Sequence, residues 1–162
     1  MSPIPVANAP CSWGVLEFEG TKKEAGYARV LDEMAESGYA GTELGDWGFM
    51  PTDPGELRHV LGRRRLSMLG AFVPVALSRE SAHDAGVQAA VRVARLLAAV
   101  NAKAFVVLAD DNGTVPVRTR NAGRVTTEMG LDRTAWKVAA RGAEKVAEAV
   151  RRESGLATVL HH

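Results

Sequence analysis

The regular alternation of short apolar runs with segments of helical periodicity is the feature that most constrains this fold. Strands are predicted at residues 5–9, 39–44, 66–73, 104–109 and 156–161, with one helix between each pair of strands. No turn signal joins two strands directly, so the order β-α-β-α-β-α-β-α-β predicts a parallel sheet with right-handed crossovers. The fold class is therefore α/β. Two architectures satisfy it, an open doubly wound sheet or part of a (β/α)8 barrel.

The predicted helices carry start signals and apolar faces. Thr21 and Glu24 form a T-x-x-E capping box before the first helix, and Asp53 and Asp132 are placed to cap the second and fourth helices. The third helix is predicted over about residues 81–100. Five residues of the fourth helix recur at helical spacing and are predicted to face inward: Trp136, Ala139, Ala143, Val146 and Val150.

Proline, loop and histidine positions give three further expectations. Pro74 is expected to end the third strand, because proline has no N–H with which to continue a ladder. Residues 110–130 are predicted to form one long loop. His59 and His83 fall in or near helices, away from the carboxyl ends of the strands, and are predicted to be surface residues.

Composition places the chain among ordinary globular domains. It has 162 residues, of which 46% are hydrophobic and 24% charged. The single Cys11 excludes an internal disulfide, and we interpret it as a packing residue because no partner base is evident. No apolar run approaches the ~18 residues of a membrane span, and the N-terminus lacks a signal-peptide pattern. We therefore expect a cytoplasmic protein with no membrane partner.

The formal net charge of +1 hides an uneven distribution. Residues 1–60 hold 4 basic and 10 acidic residues, whereas residues 61–162 hold 16 basic and 9 acidic ones. Basic residues spaced every four positions along the fourth helix are typical of a solvated helix face, so we expect no nucleic-acid partner. Three arginines stand apart because they lie in the predicted loop: Arg118, Arg120 and Arg124.

The candidate site residues follow the predicted strands. In both architectures, ligands bind at the carboxyl ends of the strands. Eight side chains come at or near those ends: Trp13, Glu43, Trp47, Phe72, Asp110, Asp111, His161 and His162. Glu43 lies within a predicted strand, where a carboxylate is costly unless it is paired or used. Adjacent strand residues point to opposite faces, so only one of the two terminal histidines can face a common pocket.

Several common site motifs are absent. The sequence has no G-x-G-x-x-G after a strand and no G-x-x-x-x-G-K-[ST], which argues against dinucleotide and P-loop sites. It also lacks H-E-x-x-H and paired C-x-x-C, so it contains no local zinc motif.

Five segments together resemble a known family. They are N-A-P-C-S-W-G at 8–14, G-Y-A-G-T-E-L-G-D-W-G-F at 38–49, G-A-F-V-P-V at 70–75, L-A-D-D-N-G at 108–113 and V-L-H-H at 159–162. Over essentially its whole length the chain resembles the sugar phosphate isomerase/epimerase superfamily, the xylose isomerase-like TIM barrels. Within that group it is most similar to the inosose dehydratases and their close relatives.

The resemblance implies that residues 1–162 are a partial xylose isomerase-like domain. This would be the N-terminal half of a (β/α)8 barrel, with about five strands and four helices, whereas a closed barrel has eight of each and ~250 residues. Enzymes of this family bind a divalent cation, often manganese or cobalt, that polarises a carbonyl oxygen while a carboxylate moves a proton. The implied substrate is a small sugar or cyclitol ketone, and the implied reaction is dehydration, isomerisation or epimerisation.

The resemblance also implies roles for the candidate residues. Glu43 would be the catalytic proton-transfer group. The substrate pocket would be lined by Trp13, Trp47, Phe72 and one of the two histidines, His161 or His162, with Asp110 and Asp111 at the same rim. The family's metal ligands come after the histidine motif, so none is expected in this chain. The 162-residue fragment is accordingly expected to be inactive and to bind no cation tightly.

Two other functions remain open. A half-barrel leaves edge strands unpaired, so the first alternative is a non-catalytic binding module that self-associates into a homo-oligomer. The second is a repair nuclease of the endonuclease IV type, which belongs to the same superfamily. Such nucleases use many histidines around zinc, whereas only His59 and His83 precede the terminal pair here.

Overall fold

A computed structural model describes residues 4–14, 26–111 and 115–161 of the chain. Its five strands form one sheet in which every neighbouring pair is parallel. The strands are β1 (Ala7–Asn8), β2 (Gly41–Glu43), β3 (Ser67–Val75), β4 (Phe105–Asp110) and β5 (Ala157–His161). The helices are α1 (Tyr27–Glu36), α2 (Pro54–Gly62), α3 (His83–Val100), α4 (Pro116–Arg120) and α5 (Arg133–Ser154). The predicted α/β class with parallel (β/α) units is confirmed.

The strand order distinguishes between the two architectures that the sequence leaves open. The strands lie in the sheet in chain order, β1-β2-β3-β4-β5. A doubly wound sheet reverses direction at a switch point, whereas a barrel adds each strand on the same side of the previous one. Right-handed crossovers that all advance in one direction place the connecting helices on one face of the sheet. The fold is therefore consistent with half of a (β/α)8 barrel.

The core lies between the helices and one face of the sheet. The β3 and β4 side chains that face this core are at most 4% exposed: Met68, Ala71, Val73, Val75, Val106 and Leu108. Helix α3 packs against these strands with a stripe that is fully buried at Ala90, Ala94 and Leu97. On the opposite face, Phe72 and Val107 are only half-buried. One face of the sheet is thus a closed core layer, and the other face remains accessible.

Pro74 does not end β3, contrary to the expectation from sequence, because of the direction in which its backbone points. β3 continues to Val75, with Pro74 opposite Ala109 of β4. The carbonyl oxygen of Gly70 accepts a hydrogen bond from the backbone N–H of Leu44 (2.9 Å), so the even-numbered residues of β3 from Gly70 onwards direct their backbone groups towards β2. β2 ends before it reaches Pro74, and the missing N–H therefore removes no ladder bond.

Two of the predicted helix caps are confirmed. Asp53 accepts a hydrogen bond from the backbone N–H of Glu56 (2.8 Å), and Asp132 accepts one from the backbone N–H of Ala135 (2.7 Å). Each bond satisfies one of the N–H groups that a helix start leaves without a partner. The capping box predicted at 21–24 lies outside the described residues.

The connection between β4 and α5 and the start of α5 both differ from the prediction. A short helix, α4, forms inside the region predicted as one long loop, and Pro116 occupies a first-turn position that proline favours. Trp136, predicted to face inward, is 63% exposed. It lies in the first turn of α5, ahead of the stretch in which Ala139, Val146 and Val150 are buried. The inward stripe of α5 therefore begins one turn later than its spacing predicts.

His83 is buried, so its assignment to the surface is wrong. Only 4% of the residue is exposed, and its Nε2 lies 2.8 Å from the carbonyl oxygen of Leu77. Gly142 of α5 makes room for the ring, since a Cβ at that position would lie 2.5 Å from Nε2. The sequence around His83 does not reveal this burial, because the helix that covers it comes from a distant part of the chain. His59 is exposed, as predicted.

Cys11 is a free, exposed cysteine and not the packing residue that the sequence suggests. It lies in the short 3-10 turn Pro10–Trp13 that follows β1, and Pro10 is the residue of that turn that is buried. Among the residues that the structure describes, no helix combines the length and the apolar character needed to cross a membrane.

Candidate functional site

Three of the predicted site residues share the face of the sheet opposite the helices. Glu43 lies opposite Gly70, two residues before Phe72 on β3. His161 lies opposite Ala109, two residues after the β4 partner of Phe72. Because side chains two residues apart on a strand share a face, all three side chains point to the same side. We call this side the open face, and its side chains at the candidate site are Glu43, Phe72, Val107, Val159 and His161.

A β-bulge sets the position of Glu43. The register between β2 and β3 shifts after Thr42, so that Glu43 lies opposite Gly70 and not opposite Leu69. Gly70 places no side chain next to Glu43, and a Cβ there would lie 2.7 Å from the backbone oxygen of Phe105. A larger residue at position 70 would therefore have to displace β4. The bulge and the glycine together leave space beside the Glu43 carboxyl.

The Glu43 carboxyl is partly desolvated and has one electrostatic partner. Burial raises the pKa of Glu43, and attraction to His161 lowers it by a smaller amount. In the described part of the chain, the Glu43 side chain forms no hydrogen bond that would hold its proton or its charge in place. A carboxyl with a raised pKa that faces an accessible surface is a stronger base than an ordinary glutamate and is suited to accept and return a proton.

Phe72 and His161 form the other part of the candidate site. Their rings meet edge to face, with centroids 5.8 Å apart and an interplanar angle of 85°. Val107 and Val159 lie on the same face, and Val159 is 44% exposed. The open face thus offers apolar surface together with a carboxyl and an imidazole, which suits a ring-shaped polar ligand with exposed C–H groups.

The two tryptophans predicted to line the pocket lie elsewhere. The Trp13 indole N–H donates a hydrogen bond to Glu33 of α1 (2.8 Å), and the Trp13 ring meets Tyr39 edge to face (centroids 6.2 Å apart). Trp47 packs against α3, where the guanidinium carbon of Arg92 is 4.4 Å from its ring centroid. Because α3 covers the helical side of the sheet, the structure does not bring Trp47 to the open face.

Asp110 connects two loops at the carboxyl edge of the sheet. Its Oδ1 accepts a hydrogen bond from the backbone N–H of Leu77 (2.9 Å), and its Oδ2 lies 3.3 Å from Nη1 of Arg118. Arg118 also donates to the carbonyl oxygen of Met129 (3.2 Å). Both carboxylate oxygens of Asp110 are thus used to hold the end of β3 and α4 together. Asp111 follows directly and is half-buried at the same edge.

The described residues do not fit the manganese or cobalt ion that the family resemblance implies. Within 4–14, 26–111 and 115–161, no group of three or more His, Cys, Asp or Glu side chains is arranged to hold a metal ion. The open face brings together Glu43 and His161, but a divalent cation takes about four to six ligands. His162 lies outside the described residues. Such an ion would need ligands that these residues do not supply.

Two residues of the open face were missed by sequence reasoning. Val107 and Val159 lie in runs that are almost entirely apolar, so nothing in their local sequence separates one face of the strand from the other. Alternate residues of a strand share a face, but which face holds Val107 and Val159 is known only from their pairing with Phe72. The local sequence does not reveal this strand pairing, so the two valines could not be assigned to the site.

Comparison with known proteins identifies relatives of this chain. No protein-family model matches it. Its curated relatives include an inosose dehydratase of Lacticaseibacillus casei, 27% identical over 159 residues, and one of Geobacillus kaustophilus (strain HTA426), 26% identical over 161 residues. This chain is similar to the inosose dehydratases. The resemblance inferred from its motifs is thereby confirmed.

The extent of these matches agrees with the fold. They cover 98% and 99% of the chain but 51% of each relative, so the chain spans about half the length of the curated inosose dehydratases it matches. Among solved structures, the apo form of YcjR, a 3-keto-D-glucoside 4-epimerase from E. coli, superposes with a TM-score of 0.64. It covers 98% of this chain and 56% of the epimerase at 14% identity, a likeness that shows the fold alone. Both comparisons are consistent with half of a barrel.

Proposed function

We propose that this chain supplies one wall of the substrate pocket and the proton-transfer carboxylate of an enzyme that acts on a keto sugar or keto-cyclitol. The observation that carries the proposal is the open face, where Glu43 has a raised pKa and shares its side of the sheet with the Phe72–His161 pair. The relatives lend support, because the sequence matches are named for inosose and the fold match for a keto-glucoside.

Glu43 is the group to which we assign the proton transfer. Its carboxylate removes the proton from the carbon next to the substrate carbonyl, and the released electron pair moves onto the carbonyl oxygen. In a dehydration, the carbonyl re-forms as a hydroxyl group leaves the neighbouring carbon, and that group departs as water with the proton. In an epimerisation, a proton returns to the opposite side of the same carbon. A raised pKa makes the Glu43 carboxylate a stronger base for removal of this proton.

His161 is assigned a supporting role at the same site. Its ring is oriented by the edge-to-face contact with Phe72. An imidazole in this position can donate a hydrogen bond to the substrate oxygen that becomes negative, which stabilises the developing charge. Electrostatic attraction to His161 also lowers the pKa of Glu43, so the two groups are linked.

Dehydration of an inosose is the reaction that we favour for the whole protein. The inosose dehydratases match this chain by sequence, whereas the epimerase matches it by fold alone. A manganese or cobalt ion would need ligands from outside the described residues. Bound in that way, it would polarise the substrate carbonyl. We derive no step for this chain's residues through that ion.

Replacement of Glu43 by glutamine tests the proposal. In the enzyme that contains this chain, Glu43→Gln should lower the kcat for inosose dehydration by at least about 100-fold, the usual contribution of a positioned acid–base group. The matched control is Glu36→Gln, which removes an exposed carboxylate at the end of α1. His83, a histidine outside the site, is a poor control because it is buried. Similar small losses in both variants would remove Glu43 from the mechanism.

A second candidate function is favoured by the exposed edge of the sheet. β5 is an edge strand in the described sheet, and its Val159 and Leu160 are 44% and 66% exposed. Unpaired edges with apolar side chains promote association between chains. A self-associating half-barrel that binds a partner without catalysis is the function that this observation supports.

A further inference from the structure

A second concave site lies on the helical side of the sheet, away from the open face. It is a groove of about 500 Å³ between α3, the start of α2 and the loop that precedes α2. Eight residues line it: Trp47, Thr52, Pro54, Gln88, Val91, Arg92, Arg95 and Leu96. Small-molecule sites usually have volumes of roughly 300–1,000 Å³, so the groove is large enough for a small organic ligand. The sheet itself separates this groove from Glu43.

The groove is positively charged. Its lining contains two arginines, and none of the lining residues is acidic. Arg95 is partly neutralised by Glu153 of α5, because Nη2 of Arg95 lies 2.6 Å from Oε2 of Glu153. Arg92 forms no ion pair within the described residues; its observed partner is the ring of Trp47, 4.4 Å away. The groove therefore offers one guanidinium without a counter-charge.

The Trp47 ring holds the Arg92 guanidinium at the groove, with the guanidinium carbon 4.4 Å from the ring centroid. A cation–π contact with a ring leaves guanidinium N–H groups available, and these match the two oxygens of a carboxylate or phosphate. Holding the guanidinium in place in advance lowers the entropy that an anion must overcome on binding. Arg92 is thus placed to bind an anion, and no carboxylate among the described residues pairs with it.

The rest of the lining is apolar with two polar side chains at its border. Trp47 is 38% exposed, and Pro54, Val91 and Leu96 contribute further apolar surface to the groove. The amide of Gln88 and the hydroxyl of Thr52 complete the lining. A fully hydrated inorganic anion would leave this apolar surface unused, whereas a ligand with a ring would cover it.

We propose that this groove binds a small organic anion, a flat or alicyclic ring that carries one carboxylate or phosphate. The anionic group pairs with Arg92, and the ring covers the exposed part of Trp47 and the apolar lining. This site is independent of the proton-transfer site on the open face. It also gives a role to Trp47, which was predicted to line the substrate pocket but packs against α3.

The test is a two-dimensional ¹H–¹⁵N NMR titration of the 162-residue chain with benzoate. The chain has three tryptophans, so the Trp47 indole signal can be assigned with Trp47→Phe. Benzoate should shift the Trp47 indole and Arg92 side-chain N–H signals saturably, with a dissociation constant in the millimolar range. Benzamide, which has the same ring without the charge, should bind at least about tenfold more weakly. Phenyl phosphate, titrated in parallel, distinguishes a phosphate ligand from a carboxylate ligand.

Two variants separate specific binding from adhesion to apolar surface. Arg92→Gln should weaken benzoate binding about tenfold or more, and Arg92→Lys should recover part of the affinity because it keeps the charge without the planar fork. Arg141→Gln, which removes an exposed arginine from α5, should leave the affinity unchanged. The proposal is overturned if benzoate and benzamide shift the same signals equally. It is also overturned if Arg92→Gln has no effect, or if the shifts fall on the open face around Phe72.

Discussion

At the scale of single residues, the burial of Glu43 has a consequence for stability as well as for chemistry. Burial raises the pKa of Glu43 above its value in the unfolded chain, so the folded chain holds this proton more tightly. Stability therefore decreases as the pH rises through the window between the unfolded and the folded pKa, and the full penalty is present above that window. The residue that we assign to proton transfer is thus expected to destabilise the fold at neutral pH.

This expectation gives a thermal-unfolding experiment. Glu43→Gln should raise the Tm at neutral pH, because the uncharged amide does not incur the penalty, and the difference from wild type should shrink towards about pH 4. Scanning fluorimetry across this pH range measures both curves. Glu36→Gln, at an exposed position, should show no such pH-dependent gain. A Tm that falls at neutral pH in Glu43→Gln would mean that the ionised carboxylate stabilises the fold.

The candidate site shows which residue positions sequence can predict. Glu43, Phe72 and His161 were predicted together because the carboxyl ends of parallel strands meet at one edge, and the structure places all three on the open face. Trp47 lies beyond the strand, between Gly45 and Gly48, which both have positive φ (71° and 95°). Such turns reverse the chain direction in ways that periodicity does not encode, so the side to which Trp47 points was not predictable.

At the scale of elements, the packing of α3 against α5 depends on a contact between a buried histidine and a glycine. A Cβ at Gly142 would lie 2.5, 2.9 and 3.0 Å from Nε2, Cε1 and Cδ2 of His83. The ring cannot move away without losing its contact with the carbonyl oxygen of Leu77. The helices therefore approach each other closely only while position 142 lacks a side chain.

Alanine at this position should weaken the fold measurably. Gly142→Ala is expected to lower the free energy of unfolding by about 1–3 kcal/mol, the usual cost of overpacking a well-filled core. Gly62→Ala is the matched control, because a Cβ at Gly62 in α2 meets no atom within 4 Å. That change should be neutral or stabilise by up to about 1 kcal/mol, as alanine favours helix. Urea titrations that give equal values for both variants would contradict the proposed close packing.

The errors at element boundaries have a common physical origin. Pro74 was expected to end β3, but its nitrogen faces the β2 side, and β2 ends before it reaches Pro74. Trp136 lies on the predicted inward stripe of α5, yet no described element covers the first turn of that helix. Propensity and periodicity describe the residue within its own element, whereas both outcomes depend on where the neighbouring element stops.

At the scale of the whole molecule, the parallel sheet followed from local signals, whereas the order of its strands did not. Repeated (β/α) units with right-handed crossovers predict a parallel sheet, and the structure adds that its strands lie in chain order. A sheet of this kind has β1 and β5 at its two edges. On β5, Val159 faces the open side and Leu160, opposite Leu108, faces the helical side, yet both are substantially exposed. This strand therefore exposes apolar surface on both faces of its edge.

We expect this edge to make the 162-residue chain self-associate. Light scattering at micromolar concentration should give a mass above the 17.3 kDa of one chain. Leu160→Lys places a charge on the edge strand, where lysine opposes strand pairing, and should weaken association about tenfold or more. The control Val117→Lys adds the same charge on α4, at a residue that is 42% exposed, and should leave the mass unchanged. A wild-type chain that remains at 17.3 kDa, or equal dissociation in both variants, would show that β5 is not an interface.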